Sequence, residues 1–311
     1  MEKQIQIVEV GPRDGFQSIH ADCGMISTET KLKYIEKIID AGVSSIQFTS
    51  FVSPKAIPQL ADAKEVSRIL LDKYPDLDLF ALVPNLRGAK DAYELGIRKV
   101  AYVVSYSKSH NKANINRTHE ESLEAYRKIR REFPDLKIEV NFATIFGCPF
   151  EGKYQDIDGI LKFIQTYADE GMDSCVLADT IGIADPLQVR RFIRAIKKAF
   201  PKLGISIHLH DTRGLGMVNS LVAIEEGITK IETALGGLGG CPFAPGASGN
   251  LATEDFVWML SEMGYQTGID FEKIVLAAKE QAREIKGNYS GHHIHIEKIT
   301  PTNSEKGLVT S

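Results

Sequence analysis

The sequence predicts an α/β chain: a closed (β/α)8 barrel of the TIM-barrel type with one additional C-terminal helix. Three observations lead there. Eight short β-branched runs alternate with longer segments of helical period. The 311 residues exceed the roughly 250 that such a barrel needs. No Gly-x-Gly-x-x-Gly opens the first helix, as an open dinucleotide-binding sheet would require.

The strand-like runs are Ile5–Val10, Ser44–Phe48, Leu77–Val83, Lys99–Val104, Lys137–Ala143, Asp173–Leu177, Ile205–His210 and Lys230–Thr233. Between them, Lys31–Ile39 carries apolar groups at helical spacing and Gly42 follows as a stop signal. Pro186–Phe200 repeats the pattern, with Val189, Phe192, Ile193 and Ile196 as one stripe and Arg190, Arg191, Lys197 and Lys198 among the polar positions. Gly96, Gly171 and Gly227 stand where helices should be capped before the next strand. After the eighth unit, Phe271–Ile285 reads as the extra helix. Residues 1–285 therefore form one barrel domain, and 286–311 a C-terminal tail whose order the sequence leaves open.

Charged residues make up 25% of the chain and the net charge is −4, which gives no reason to expect nucleic acid or anionic lipid as a partner. No apolar run approaches the ~20 residues of a membrane span. Cys23, Cys148, Cys175 and Cys241 lie far apart, without zinc-knuckle spacing, so reduced thiols and a cytoplasmic location are the default expectation.

The chemistry-bearing residues gather at expected strand ends. His208 and His210 are spaced by one, so on a strand they point to the same face and can share a ligand. On a helix they would splay by about 200°, at about 100° per residue. The alternative is a pair of core histidines, and the two residues alone do not decide. Strand one ends in Gly11-Pro12-Arg13-Asp14-Gly15, which offers a carboxylate and a guanidinium, or only a local ion pair. Strand six ends at Asp179. After strand eight comes a loop from Gly236 to Asn250, rich in Gly and Pro, with one thiol, Cys241, at its centre. A buried structural cysteine is the ordinary alternative, and the loop setting weighs against it. Gly291-His292-His293-Ile294-His295 reads as a surface cluster, and Thr118 as the cap of the helix carrying Glu120 and Glu121.

Taken together, Gly-Pro-Arg-Asp-Gly (11–15), Thr-Ser-Phe-Val-Ser-Pro-Lys (49–55), Gly-Cys-Pro-Phe-Glu-Gly (147–152), Asp-Thr-Ile-Gly (179–182), His-x-His-Asp-Thr (208–212) and Gly-Gly-Cys-Pro-Phe-Ala-Pro-Gly-Ala-Ser-Gly-Asn (239–250) resemble the hydroxymethylglutaryl-CoA lyase family. Isopropylmalate and homocitrate synthases are related barrel metalloenzymes that lack the cysteine loop. The resemblance runs from about Ile5 to Tyr265. It implies that Asp14, His208, His210 and Asn250 ligate Mg2+ or Mn2+, for which oxygen ligands with imidazole are suited. It also implies an acyl-CoA substrate and four catalytic roles. Arg13 would stabilise an enolate oxygen and Cys241 would act as acid or base. Asp179 would orient or deprotonate the substrate hydroxyl, directly or through His208.

Besides Ser18-Ile19, which replaces an Asn-Glu after the first motif, three positive-going departures from the family pattern fall near the same mouth. Gln47 and Lys108 stand where the lyases carry Glu, and Arg213 where many carry Tyr. Each makes the site more positive, so these residues are candidates for setting substrate choice. The expected reaction is cleavage of a 3-hydroxy-3-methylglutaryl-CoA-like 3-hydroxyacyl-CoA to acetyl-CoA and a keto acid. A Claisen-type synthase, or a barrel that binds without turnover, are the alternatives. A homodimer is the oligomeric state to test.

Overall fold

The computed structural model describes residues 4–240 and 249–298 of the chain. Eight parallel strands close into a barrel: β1 (Gln6–Glu9), β2 (Ser45–Ser50), β3 (Asp78–Leu82), β4 (Lys99–Ser105), β5 (Lys137–Ala143), β6 (Ser174–Asp179), β7 (Gly204–Leu209) and β8 (Lys230–Thr233). Each pairs with its neighbours in sequence, and β1 closes on β8 with Gln6 opposite Lys230 and Val8 opposite Glu232. The expected strands are all present. The largest end shifts are at β2 and β6, which run on to Ser50 and Asp179.

The helices are α1 (Thr28–Asp40), α2 (Ala63–Lys73), α3 (Leu86–Glu94), α4 (Lys108–Ile115), α5 (His119–Glu132), α6 (Ile157–Ala168), α7 (Pro186–Ala199), α8 (Gly216–Glu225), α9 (Thr253–Glu262) and α10 (Phe271–Glu284). Helix α7 buries the anticipated stripe, and Phe192 stacks on Phe146 with ring centroids 5.7 Å apart. Thr118 does cap α5: its hydroxyl accepts from Glu121 N at 3.2 Å while Glu121 reaches back to Thr118 N at 2.8 Å. Helix α4 is an insertion that the hydrophobic pattern does not announce. It is short and mostly polar, and local bonds define it: Ser107 Oγ accepts from His110 N, and Asn111 Oδ1 from Ser105 N. The extra helix α10 packs against α1, where Tyr34 donates to Glu284 at 2.6 Å.

Strand register divides the barrel interior into two halves. Val8, Val10, Phe80, Leu82 and Ala101, from β1, β3 and β4 with the turn after β1, form an apolar cluster. Across from it, β5 to β8 carry Glu139, Asn141, Ser174, Ser206, His208 and Glu232, which share one face by the period-two alternation of paired strands. A third group lies at the mouth, where Phe16, Ile19, Tyr34, Leu60, Leu238 and Ile285 pack together. It fixes the chain after β1 against the start of the loop after β8.

Residues 286–298 cross the base of that loop. Gly239 N donates to Asn288 O at 3.2 Å, Ser290 Oγ to Asn250 O at 2.9 Å, and Gly291 N to Gly236 O at 3.0 Å. Asp255 on α9 then receives the backbone N–H groups of His292 and His293 and meets both imidazole Nδ1 atoms. The histidine cluster is thus engaged in pinning this segment down.

Phe192 is fully buried between the helix layer and Phe146. Phe192→Ala should lower the unfolding free energy by about 3–5 kcal/mol, as a large core cavity does. Urea titration checks this, and a change below about 1 kcal/mol would mean that the α7 face is not a packed core.

Candidate metal and active site

The site is assembled from a turn, a strand end and a loop. Directly after β1, residues Gly11–Gly15 form one π-helical turn, in which Arg13 N and Asp14 N both donate to Val10 O, at 3.0 and 2.7 Å. Pro12 has no N–H to lose at that position. Gly11 is required by a close approach: a Cβ there would lie 2.6 Å from Glu9 Oε1. Glu9 pairs in register with Thr233, on the helix-facing side of its strand. Its buried carboxylate accepts from Gly11 N (2.8 Å), Leu235 N (2.9 Å) and Thr253 Oγ1 (2.6 Å). One carboxylate therefore ties the turn after β1 to the loop after β8.

At the mouth, Asp14, His208 and His210 offer ligand atoms that all lie within 4.8 Å of one another. The two imidazoles, one near the end of β7 and one just past it, face each other as their spacing predicts, with Nε2 atoms 3.0 Å apart. Asn250 arrives from the β8 loop and donates Nδ2 to Asp14 Oδ2 (2.9 Å) and Leu238 O (3.0 Å). That leaves its Oδ1 buried and without a hydrogen-bond partner among the described residues. Gly239 makes room for this side chain, since a Cβ there would fall 2.5 Å from Asn250 Nδ2. A buried amide oxygen without a partner, a carboxylate and two facing imidazoles form a donor set that fits a divalent cation.

The electrostatics agree with that use. Burial alone would push Asp14 up, but Arg13, His208, His210 and the Asn250 hydrogen bond outweigh it and bring its pKa to about 2. The carboxylate is therefore ionised. Burial, helped by the neighbouring His208, pushes His210 down to about 3 and keeps it neutral. His208 moves the other way. Burial opposes its charged form, but Glu232 and Asp14 outweigh burial and raise it.

The remaining expected residues are spread around this centre. Arg13 is buried, paired with Asp14, and donates Nε to Gln47 Oε1. Arginine only donates, so the Gln47 oxygen must face it. Its NH2 group is then left buried and without a partner among the described residues. Lys108 is exposed at the start of α4. Arg213 donates to the carbonyls of Ile181 (2.6 Å) and Gly182 (3.2 Å), so its guanidinium clasps the β6 loop. Asp179 departs from the expected arrangement. It pairs in register with Leu209, while Ala178 pairs with His208. Its two oxygens accept from Ile183 N (3.0 Å) and Ala184 N (2.9 Å), so it closes the loop after β6 and does not hydrogen-bond His208. Burial holds it at about 6. Cys241 lies outside the described residues.

Sequence reasoning missed three buried carboxylates. Glu232 meets His208 Nδ1 at 2.8 Å. Glu9 braces the turn and loop, as described above. Glu254 on α9 accepts from Gly236 N at 2.9 Å. The one sequence signal for Glu232 was an acidic residue inside a strand run; its place in register with a histidine shows only in the fold.

A parallel barrel with a hard-metal donor set at the C-terminal ends of β1, β7 and β8 defines the class of barrel metalloenzymes. The chain matches the HMGL-like family over residues 4–280 and belongs to it. It is 40% identical over 279 residues to the hydroxymethylglutaryl-CoA lyase YngG of Bacillus subtilis, covering 89% of this chain and 92% of that one. It is 38% identical over 287 residues to the (R)-citramalyl-CoA lyase of Chloroflexus aurantiacus, covering 88% and 89%. It superposes with a TM-score of 0.86, at 36% identity and over 96% of this chain and 98% of the other, on an HMG-CoA lyase from Acinetobacter baumannii in complex with coenzyme A and 3-methylmalate. The chain is a carbon–carbon lyase of this family.

Glu254 supplies a pH test of the loop anchorage. Burial, together with Asp255 and Glu9, raises its pKa from 4.5 to about 8. The folded state therefore holds a proton that the unfolded chain releases near pH 4.5. This contribution to stability is complete below about pH 4.5 and is lost as pH rises through about 8. Glu254→Gln should flatten the decline in urea midpoint between pH 5 and 8, measured against the parent. An unchanged slope would place the decline elsewhere.

Proposed function

We propose that the chain is a divalent-metal-dependent lyase that cleaves 3-hydroxy-3-methylglutaryl-CoA, or a close 3-hydroxyacyl-CoA, to acetyl-CoA and a keto acid. The convergence of Asp14, His208, His210 and the free Asn250 oxygen, in a chain of this family, carries the reading. These residues would hold Mg2+ or Mn2+, which when bound supplies a Lewis acid for the substrate's oxygens. Arg13, held in place by Asp14 and Gln47, presents a fixed positive charge where an enolate oxygen develops. Cys241 serves as the acid or base at the nascent carbanion, as the family resemblance implies. Asp179 orients or deprotonates the substrate hydroxyl, as the family resemblance implies, while its two loop hydrogen bonds hold the β6 loop in shape. Among the described residues no helix is long and apolar enough to cross a membrane. We place the enzyme in the cytoplasm and expect a homodimer.

A second reading concerns the acyl group. Where the related lyases resembled in sequence carry a carboxylate, the neutral Gln47 leaves Arg13 with Asp14 as its one anionic partner among the described residues. That change, with a citramalyl-CoA lyase among the relatives, favours a 3-hydroxyacyl-CoA that differs from hydroxymethylglutaryl-CoA in size or charge. Lys108 and Arg213 belong to this reading as candidates that modulate the rim.

A panel of 3-hydroxyacyl-CoA thioesters, including hydroxymethylglutaryl-CoA and citramalyl-CoA, separates these readings when acetyl-CoA release is followed by mass spectrometry. At least one member should be cleaved with Mn2+ present, and EDTA should abolish the release. Cys241→Ser should remain folded but lose most turnover, because a hydroxyl is a far weaker acid than a thiol. Release that persists in EDTA would refute metal dependence. Condensation of acetyl-CoA with a 2-oxo acid, without cleavage, would identify a synthase.

A further inference from the structure

We infer that Glu232 is a positioning residue that sets the tautomer of His208 and thereby aims its Nε2 lone pair at the metal position. The inference rests on the metal-site reading above and assigns a role to a residue outside the ligand set.

Glu232 lies opposite His208 in the β8–β7 register, on the polar half of the barrel interior, and is 2% exposed. Its Oε2 meets His208 Nδ1 at 2.8 Å, while its Oε1 is buried without a hydrogen-bond partner among the described residues. Burying a carboxylate is unfavourable unless it is paired, and the contact recorded for this one is the imidazole. A carboxylate oxygen accepts at this 2.8 Å contact, which places the hydrogen on Nδ1. In the neutral ring the lone pair is then on Nε2, the atom 3.0 Å from His210 Nε2 and on the side of Asp14. The pair is asymmetric, because His210 Nδ1 has no partner among the described residues. His208 is thus the ligand held from behind by a carboxylate, and among the described residues His210 has no such partner. A carboxylate behind a metal-binding imidazole also increases the ring's basicity, and losing such a partner commonly weakens metal binding by roughly 10–100-fold.

The test compares Glu232→Leu, Glu232→Gln and His210→Ala with the parent in Mn2+ titrations followed by electron paramagnetic resonance, with thermal melts to verify folding. Glu232→Leu should weaken Mn2+ binding by at least about tenfold. Glu232→Gln, whose amide oxygen can still accept from Nδ1, should recover most of that loss. In the 15N-labelled native chain without metal, His208 Nδ1 should show the shift of a protonated ring nitrogen. Binding within twofold of the parent in folded Glu232→Leu, or an unprotonated Nδ1 in the native chain, would overturn the inference. If Glu232→Leu does not fold, the Gln variant and the native nitrogen shift decide. His210→Ala separates the two levels: undiminished Mn2+ binding there would overturn the metal site itself, whereas loss there with no effect at position 232 would remove only the role of Glu232.

Discussion

Asp14 meets the two histidines at the C-terminal end of β7 because the chain turns sharply over the barrel mouth immediately after β1, and the neighbouring structure keeps that contact in place. Gly11 admits the turn against Glu9, and Glu9 in turn binds the first residues of the β8 loop. The same loop delivers Asn250 to Asp14. The mouth cluster around Phe16 and Leu238 and the segment through Ser290 hold the loop from two sides. The four ligands come from three places in the fold, so the relative placement of β1, β7 and β8 determines the site geometry. Barrel closure, with β1 against β8, is what supplies it.

The charge pattern has a division of labour. Ionised Asp14, neutral His210 and the carboxamide of Asn250 face the mouth. Glu9 and Glu254, raised to about 7 and about 8 by burial, lie behind the loop, where they accept backbone N–H groups. Ionising those two in so small a volume is unfavourable, so their role is to anchor backbone. Asp179 and Arg213 play the equivalent part at the β6 loop. Much of what surrounds the reactive residues is therefore loop fastening by side chains that a motif search would count as chemistry.

The alternation of elements was legible from hydrophobic period alone, because buried parallel strands read as continuous β-branched runs. The histidine pair was legible for the same reason: spacing by one has a single meaning on a strand. Asp179 shows where such reading stops. Its place at a strand end suggested a reactive carboxylate; that register sets it beside Leu209 and that its oxygens hold the β6 loop became visible only in the fold. Register is a relation between strands, and a single strand's sequence does not contain it. Glu232 was hidden by the same gap, since its meaning comes from lying opposite His208. Helix α4 escaped because capping bonds, and no apolar stripe, define it. Asn250 was named only through resemblance, and its free oxygen emerged once Asp14 and Leu238 had claimed its amide hydrogens.

The central claim is that one cation is held jointly by Asp14, His208, His210 and Asn250. Electron spin echo envelope modulation on the Mn2+-loaded protein tests it most directly, because coupled imidazole nitrogens modulate the echo. Two histidine nitrogens should be coupled in the parent and one in His210→Ala, with the barrel intact. An echo without imidazole coupling, or one unaltered by the substitution, would contradict the account.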